Sequence, residues 1–441
     1  MQETSCPRVG GIALAILLIA AGVASAQGTP APTPTPTPAP VAGSVVTDDN
    51  TVNDQQTAAP RPDNAPIDPE MKGFVLIPGT VSMFKFGGYA RVDSNYDFAN
   101  NGNRNWWVPS SIPVPGESGS EGGPVYTLQA KATRMSLEFR RPLESSDRLR
   151  IYYENDFFGD SSSQSMTYRL RHFYGQAWNV LIGHSFSAFM NIDAWPDTID
   201  YEGLNAIVNK RQPQIRYTHP LVKEKDTSQV VFASVEQSAS EIDAGATGFA
   251  EGMRTKSPLP DFVLGYRFEK KGGHLQLSAI ARSLGVENDA GASRSAFGWG
   301  FNLSGALKVF GEDKISYQAA YGEGIARYIN DLGGQNLDAA PDAGGNLKAI
   351  PVFAPGIGYT HHWSPTFRST AAFGYVWTDP EPSLGGSTLK STTYATANLV
   401  WQITKAFRTG IEYEYGFKSN LDGASRGAHR IDVVVKYDLV K

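Results

Sequence analysis

Polar and apolar side chains alternate from Phe84 to Phe98, in FKFGGYARVDSNYDF. Phe84, Phe86, Gly88, Ala90, Val92, Ser94, Tyr96 and Phe98 share one parity, and Lys85, Gly87, Tyr89, Arg91, Asp93, Asn95 and Asp97 share the other. Strand side chains point alternately to opposite faces, so this segment has an apolar side and a charged side. Its length exceeds that of an ordinary globular strand, and a continuous charged parity of both signs suits a water-filled lumen. A tilted strand crossing lipid needs roughly 9–11 residues, with extensions at either end.

The device repeats. Phe297, Trp299, Phe301, Leu303 and Leu307 alternate with small and polar residues. Phe407, Ile411, Tyr413, Tyr415 and Phe417 oppose Arg408, Glu412, Glu414 and Lys418, while Ile431, Val433, Val435, Tyr437 and Leu439 oppose Arg430, Asp432, Lys436 and Asp438. The pattern predicts about sixteen strands, near 81–98, 125–141, 148–158, 166–178, 180–189, 211–219, 228–237, 261–269, 273–283, 295–309, 313–327, 352–363, 365–377, 391–403, 405–418 and 427–439. A parity change between Ala132 and Met135 predicts a bulge in the second, and the seventh, QVVFASVEQ, reads ambiguously. Tight connections alternate with long ones such as 99–124, 191–210, 238–260, 328–351 and 378–390. An even number of strands with loops sorted by length predicts an all-β, closed, transmembrane antiparallel barrel. A lipid-facing Arg or Lys near the bilayer midplane costs about 2–4 kcal/mol, so the charged parity is assigned to the lumen. Tyr96, Phe98, Phe157, Trp363, Trp377 and Trp401 near strand ends fit interfacial girdles.

Composition agrees. At 41% hydrophobic and 19% charged over 441 residues, the chain is no bundle of membrane helices, and a net charge of -5 gives no reason to expect nucleic acid. Arg8 precedes an apolar run from Val9 to Val23 that ends in Ala24-Ser25-Ala26, which predicts a cleavable export signal over 1–26. Cys6, the one cysteine, falls inside it, so the exported chain has no disulfide or thiol ligand. The Thr/Pro/Ala-rich stretch 27–72 reads as a disordered periplasmic spacer, and 73–441 as the barrel.

The entry segment GFVLIPGTVSMFKFGGYARVD (Gly73 to Asp93) resembles the opening of the DcaP-like trimeric porins of Gram-negative outer membranes. So do YRLRHFYGQAWNVLIGHSFSAFMNIDAWPDTIDYEG (Tyr168 to Gly203) and RQPQIRYTHPL (Arg211 to Leu221). The resemblance implies a homotrimer in outer-membrane lipid that passes small, preferably anionic solutes such as dicarboxylates. Two features differ: the spacer has no heptads where some relatives carry a coiled coil, and the sequence ends YDLVK where many outer-membrane barrels end in an aromatic residue.

On the polar parity lie Arg91, Arg148, Arg150, Arg169, Arg171, Arg216, Arg267, Arg282, Arg368, Arg408 and Arg430, joined by Arg134 and Arg140 if the second strand is bulged. Guanidinium is permanently charged and forks towards carboxylate or phosphate, so these residues are the candidate anion ladder, with Arg148, Arg150, Arg169 and Arg171 at its centre. The competing expectation is that carboxylates on neighbouring strands pair with them and stiffen the wall. The loop near 191–210 sits where a constriction folds inward in related porins, and it offers Asp193, Trp195, Asp197, Asp200, Tyr201 and Glu202. No HExxH, GxSxG or phosphate loop is present, so no catalytic residue, metal ligand or cofactor is expected. An adhesin or receptor acting through its loops, or an outer-membrane lipid hydrolase, are the alternatives to a porin.

Overall fold

The computed structural model describes residues 73–143, 148–160 and 163–439. The export signal and spacer expected over 1–72 lie outside the described residues. Nineteen hydrogen-bonded segments form one antiparallel sheet. Two of them, Val75–Leu76 and Arg254–Lys256, are short rim pieces, and two others are halves of one interrupted strand.

Sixteen strands make the wall. They are β1 Met83–Asp97, β2 Val125–Gln129 continued by Arg134–Pro142, β3 Arg148–Asp156, β4 Arg169–Ala177, β5 Val180–Phe186, β6 Arg211–Lys223, β7 Thr227–Glu236 and β8 Asp261–Lys270. β9 Gly273–Glu287, β10 Ser293–Lys308, β11 Lys314–Glu323, β12 Pro351–His362, β13 Phe367–Thr378, β14 Leu389–Gln402, β15 Phe407–Asn420 and β16 Ser425–Asp438 complete it. Each pairs with its neighbour, and β16 returns to β1, with Val435 opposite Val92, so no edge is left for lipid to meet.

The alternation sorts as its chemistry requires. Phe86, Val92 and Tyr96 of β1 are exposed on the outside while Arg91, Asp93, Asn95 and Asp97 are buried inside. In β15, Ile411 and Tyr413 face out and Glu412 and Glu414 face in; in β10, Phe297, Phe301, Leu303 and Leu307 face out and Asn302 and Ser304 face in. The interruption of β2 is the expected bulge. Between the pairs Asp93–Gln129 and Tyr89–Arg134, three residues of β1 face four of β2. The side chain of Thr133 patches the broken ladder, accepting from the Arg91 N–H at 3.1 Å and donating to its carbonyl at 3.2 Å. A second, unforeseen bulge lies in β4, where pairing passes from Glu154–His172 to Asn155–Leu170 and skips Arg171. Both Arg171 and His172 are consequently buried on the lumen side.

The ambiguous seventh segment is a wall strand whose Phe232 points inward. Gly265 lies directly opposite on β8, and a Cβ there would fall 2.2 Å from the Phe232 ring, so the aromatic fits only over bare backbone. Loop lengths sort less cleanly than expected. At the loop end, 98–124, 157–168, 187–210, 237–260, 324–350 and 379–388 are long, but 288–292 and 421–424 are as short as the turns at the opposite end.

The hydrophobic core lies inside the barrel and is made by loops. Phe189, Met190, Ala206 and Val208 of the 187–210 loop pack with Ile325, Tyr328, Ile329 and Leu332 of the 324–350 loop. Val263, Ile280, Ala320, Val352, Ala354 and Val376 of the facing wall close around them. Trp107 and Ile112 of the 98–124 loop join Leu204, Ile207 and Tyr394 in an adjoining cluster. Each fully buried large apolar side chain contributes about 1.5–3 kcal/mol, which holds these loops within the wall.

Candidate functional site

The 187–210 loop crosses the interior as a belt. Amide side chains of the wall grip its backbone: Gln276 Nε2 donates to the Met190 carbonyl at 2.9 Å, Asn302 Nδ2 to Phe189 at 2.8 Å, Gln318 Nε2 to Ala206 at 3.0 Å and Asn398 Nδ2 to Asp197 at 2.9 Å. Near its tip, the N–H groups of Ile199 and Asp200 donate to the Glu412 carboxylate at 2.9 and 2.7 Å, and Arg91 donates to the Ile199 carbonyl at 2.5 Å.

Between this tip and β1–β6 remains a cavity of about 500 Å³. Six guanidiniums line it, those of Arg91, Arg134, Arg150, Arg169, Arg171 and Arg211, with the carboxylates of Glu154, Asp197, Asp200 and Glu202. Tyr89, Tyr152, Tyr174, Tyr201 and Trp195 supply aromatic surface. Most of the cations are partnered. Arg169 and Arg171 share Asp156 at 2.7 and 2.9 Å, Arg171 also meets Glu154 at 2.7 Å, and Arg150 and Arg140 share Glu138 at 2.7 and 2.8 Å. The like charges of β3 and β4 are therefore separated by carboxylates of β2 and β3.

Tyr201 joins belt to wall. Its hydroxyl donates to Asp156 at 2.6 Å and accepts from Arg134 at 2.8 Å and Arg171 at 2.7 Å. Its ring stacks on Phe158, with centroids 5.0 Å apart, and Arg91, Arg134 and Arg171 lie over it. Arg211 differs from its neighbours. Among the described residues its guanidinium makes no hydrogen bond or ion pair and rests over the Phe186 ring at 5.6 Å. In the belt, burial outweighs the neighbouring arginines and pushes the Glu202 carboxyl up to about 7, while burial together with Asp432 and Glu412 raises that of Asp200.

Of the residues singled out in the sequence, Arg91, Arg150, Arg169, Arg171, Trp195, Asp197, Asp200, Tyr201 and Glu202 meet around this cavity. The others lie elsewhere. Arg148 begins β3 at the turn end, opposite Pro142. Arg216 donates to Gln214 at 2.9 Å and to the Phe186 carbonyl. Arg267 pairs with Asp193 at 2.9 Å and Glu269 at 3.1 Å, and Arg368 pairs with Asp197. Arg430 is buried against Asp97 at 2.6 Å, and Arg282 is enclosed by Asp261 at 3.1 Å and Asp338 at 3.0 Å, both under the packed loops. The Arg408 guanidinium makes no hydrogen bond or ion pair among the described residues, while its backbone lies in the ladder between Gln402 and Lys436. Parity could not have found Arg211, because it starts β6 on the outward register and reaches the cavity only from the strand's end. His172 and Tyr174 were hidden by the β4 bulge; the three-residue step between outward Leu170 and Phe173 was the available signal.

The model of the DcaP outer membrane protein family matches residues 77–439. A search of curated proteins finds no match. Among solved structures, the chain is similar to the outer membrane channel DcaP of Acinetobacter baumannii, with 24% identity, 81% of this chain and 97% of that chain covered, and a TM-score of 0.67. Weaker likenesses include the trimer form of OmpT of Vibrio cholerae, at 11% identity with 81% and 99% covered and a TM-score of 0.49. The anion-selective porin of Comamonas acidovorans has 12% identity, 81% and 100% covered, and a TM-score of 0.48.

Proposed function

The chain belongs to the DcaP outer membrane protein family, and from that premise we propose that it is a porin of the bacterial outer membrane that passes small hydrophilic solutes passively, anions before cations. The observation that carries the anion preference is the cavity between belt and wall, lined by six guanidiniums of which Arg211 has no carboxylate partner. A guanidinium whose charge is not already matched attracts a carboxylate into a narrow, low-dielectric passage, and its planar fork suits both oxygens. Dicarboxylates, the solute class implied by the family resemblance, fit a site where paired and unpaired arginines sit side by side. Diffusion through a fixed passage requires no cofactor. Homotrimer assembly, removal of residues 1–26 on export and a periplasmic spacer over 27–72 complete the proposal.

Planar-bilayer recording in a salt gradient tests it. The wild-type reversal potential is expected to report anion preference, and Arg211→Gln to lower the anion-over-cation permeability ratio about fivefold, the factor matching a loss of ~1 kcal/mol between charges near contact in water. Neutralising Arg169 and Arg171 together is expected to lower it further, because Asp156 then loses both its guanidiniums and Glu154 keeps only Arg134, at 3.3 Å. A cation-preferring wild type, or a ratio indifferent to all three changes, overturns the reading.

A further inference from the structure

Across the belt tip from the arginine rows, β1, β15 and β16 crowd acids together. Directly opposed inward positions form the rows Glu412–Asp432–Asn95 and Glu414–Arg430–Asp97. Asp200 enters from the belt, and oxygens of Asp200, Glu414 and Asp432 all lie within 4.8 Å of one another. With Asp93, six buried carboxylates share this region with two guanidiniums, those of Arg91 and Arg430. Both guanidiniums are engaged, Arg91 on Asp93 at 2.5 Å and Arg430 on Asp97 at 2.6 Å.

The uncommitted atoms point to what is missing. Glu414 Oε2, Asp432 Oδ1 and Asp93 Oδ2 are buried without a hydrogen-bond partner. So is the amide oxygen of Asn95, which is 2% exposed and sits opposite Asp432. Arg430 does not relieve them: its Nη1 is itself unpartnered, and its nearest approach to Asp432 is 4.0 Å. Buried carboxylates in excess of their cations are costly. One shared proton satisfies a single pair and leaves the remaining oxygens bare. A hard divalent cation gathers carboxylate and amide oxygens together. Ca²⁺ takes about six to eight oxygens at about 2.3–2.6 Å in flexible geometry, which a buried set of carboxylates and an amide can supply, whereas Mg²⁺ holds to an octahedron and keeps several waters. The oxygens of the three acids, all within 4.8 Å of one another, lie within reach of one ion.

We propose that Asp200, Glu414 and Asp432, with the amide oxygen of Asn95, form a site for a divalent cation of the Ca²⁺ class that clamps the belt tip to the wall. Asp200 also borders the arginine-lined cavity, so the site is tested by cation binding itself and not by solute preference.

The test uses the full chain purified in detergent and stripped with a chelator, then titrated with CaCl₂ by calorimetry and, separately, melted at rising CaCl₂. One Ca²⁺ is expected to bind per chain with a Kd on the order of 10⁻⁴ M or tighter, MgCl₂ to bind more weakly, and the melting midpoint to climb with Ca²⁺ concentration. Asp200→Asn, which alters the belt and leaves every strand intact, is expected to weaken binding roughly tenfold or more. Glu414→Gln, checked for β content by circular dichroism, gives a second reading from the wall. No heat and no midpoint shift in the wild type overturns the site, as does Ca²⁺ binding that neither substitution weakens.

Discussion

Two arcs of one wall face the same lumen and treat it differently. From β1 to β6 the inward residues are arginines, carboxylates and tyrosines around an open cavity. From β8 to β13 the inward positions carry Val263, Ile280, Ala320, Val352, Ala354 and Val376 among polar side chains such as Gln276, Asn302 and Gln318, and two loops pack against them. Both arcs obey the same rule towards lipid, so the outside of a barrel says little about how its inside is used. What differs is how each arc meets the loops: the packed arc offers carbon together with amides that hold the loop backbone, while the charged side chains of the other arc leave a cavity beside the tip. The packed arc then positions the open one, because the loop that fills the first ends in the tip that borders the second.

The largest way to break this contrast is to unseat the packed side. There Arg282, fully enclosed, ties β9 to the 237–260 and 324–350 loops, donating to Asp261, Asp338 and the Ala239 carbonyl at 3.1, 3.0 and 2.6 Å. Arg282→Leu is expected to cost about 3–5 kcal/mol, because two carboxylates are left buried, and it is read as a lower urea midpoint for the detergent-held barrel. Conductance rises with it if the loops are what narrows the lumen; an unchanged conductance in a destabilised barrel would separate filling from narrowing. Next, Tyr201→Phe keeps the ring on Phe158 but removes the hydroxyl shared by Asp156, Arg134 and Arg171. The expected loss is about 1.5–3 kcal/mol of tip docking, seen as flicker in single-channel current with little change in melting temperature. The smallest is Gly265→Ala, which drives a methyl into Phe232. A cost of about 1–3 kcal/mol is expected on thermal unfolding, and Phe232→Leu in the same chain is expected to restore most of it while leaving ion preference untouched.

Much of this architecture was legible beforehand, and its limits are physical. All sixteen strands were visible because lipid on one side and polar surface on the other enforce a two-residue period, and the β2 bulge announced itself as a slip in that period. The β4 bulge left a weaker trace, since Arg171 and His172 are both polar and neither breaks the expected alternation. That the loop near 191–210 turns inward was expected only from likeness to related porins, and that the 98–124 and 324–350 loops do so too was not legible. Phe189, Ile207 and Ile329 sit in segments without periodicity, and only their packing partners across the barrel give them a place. The pairing of Arg169 and Arg171 with one shared Asp156 was likewise hidden, because register between strands, and not the order of residues along one strand, sets those distances. Arg211 escaped because a strand's first residue can turn over its rim.

Gln276, Asn302, Gln318 and Asn398 are uncharged, and each holds the belt through a main-chain carbonyl. Dissolved ions screen the longer-range attraction of guanidiniums towards solutes, over about 10 Å at 0.1 M, but have little purchase on neutral amides or on buried ion pairs. Under the proposed anion preference, a move from fresh to brackish water would thus keep the aperture at the same calibre while the attraction exerted there fades, so that brine retunes which molecules are favoured without altering the size that can pass.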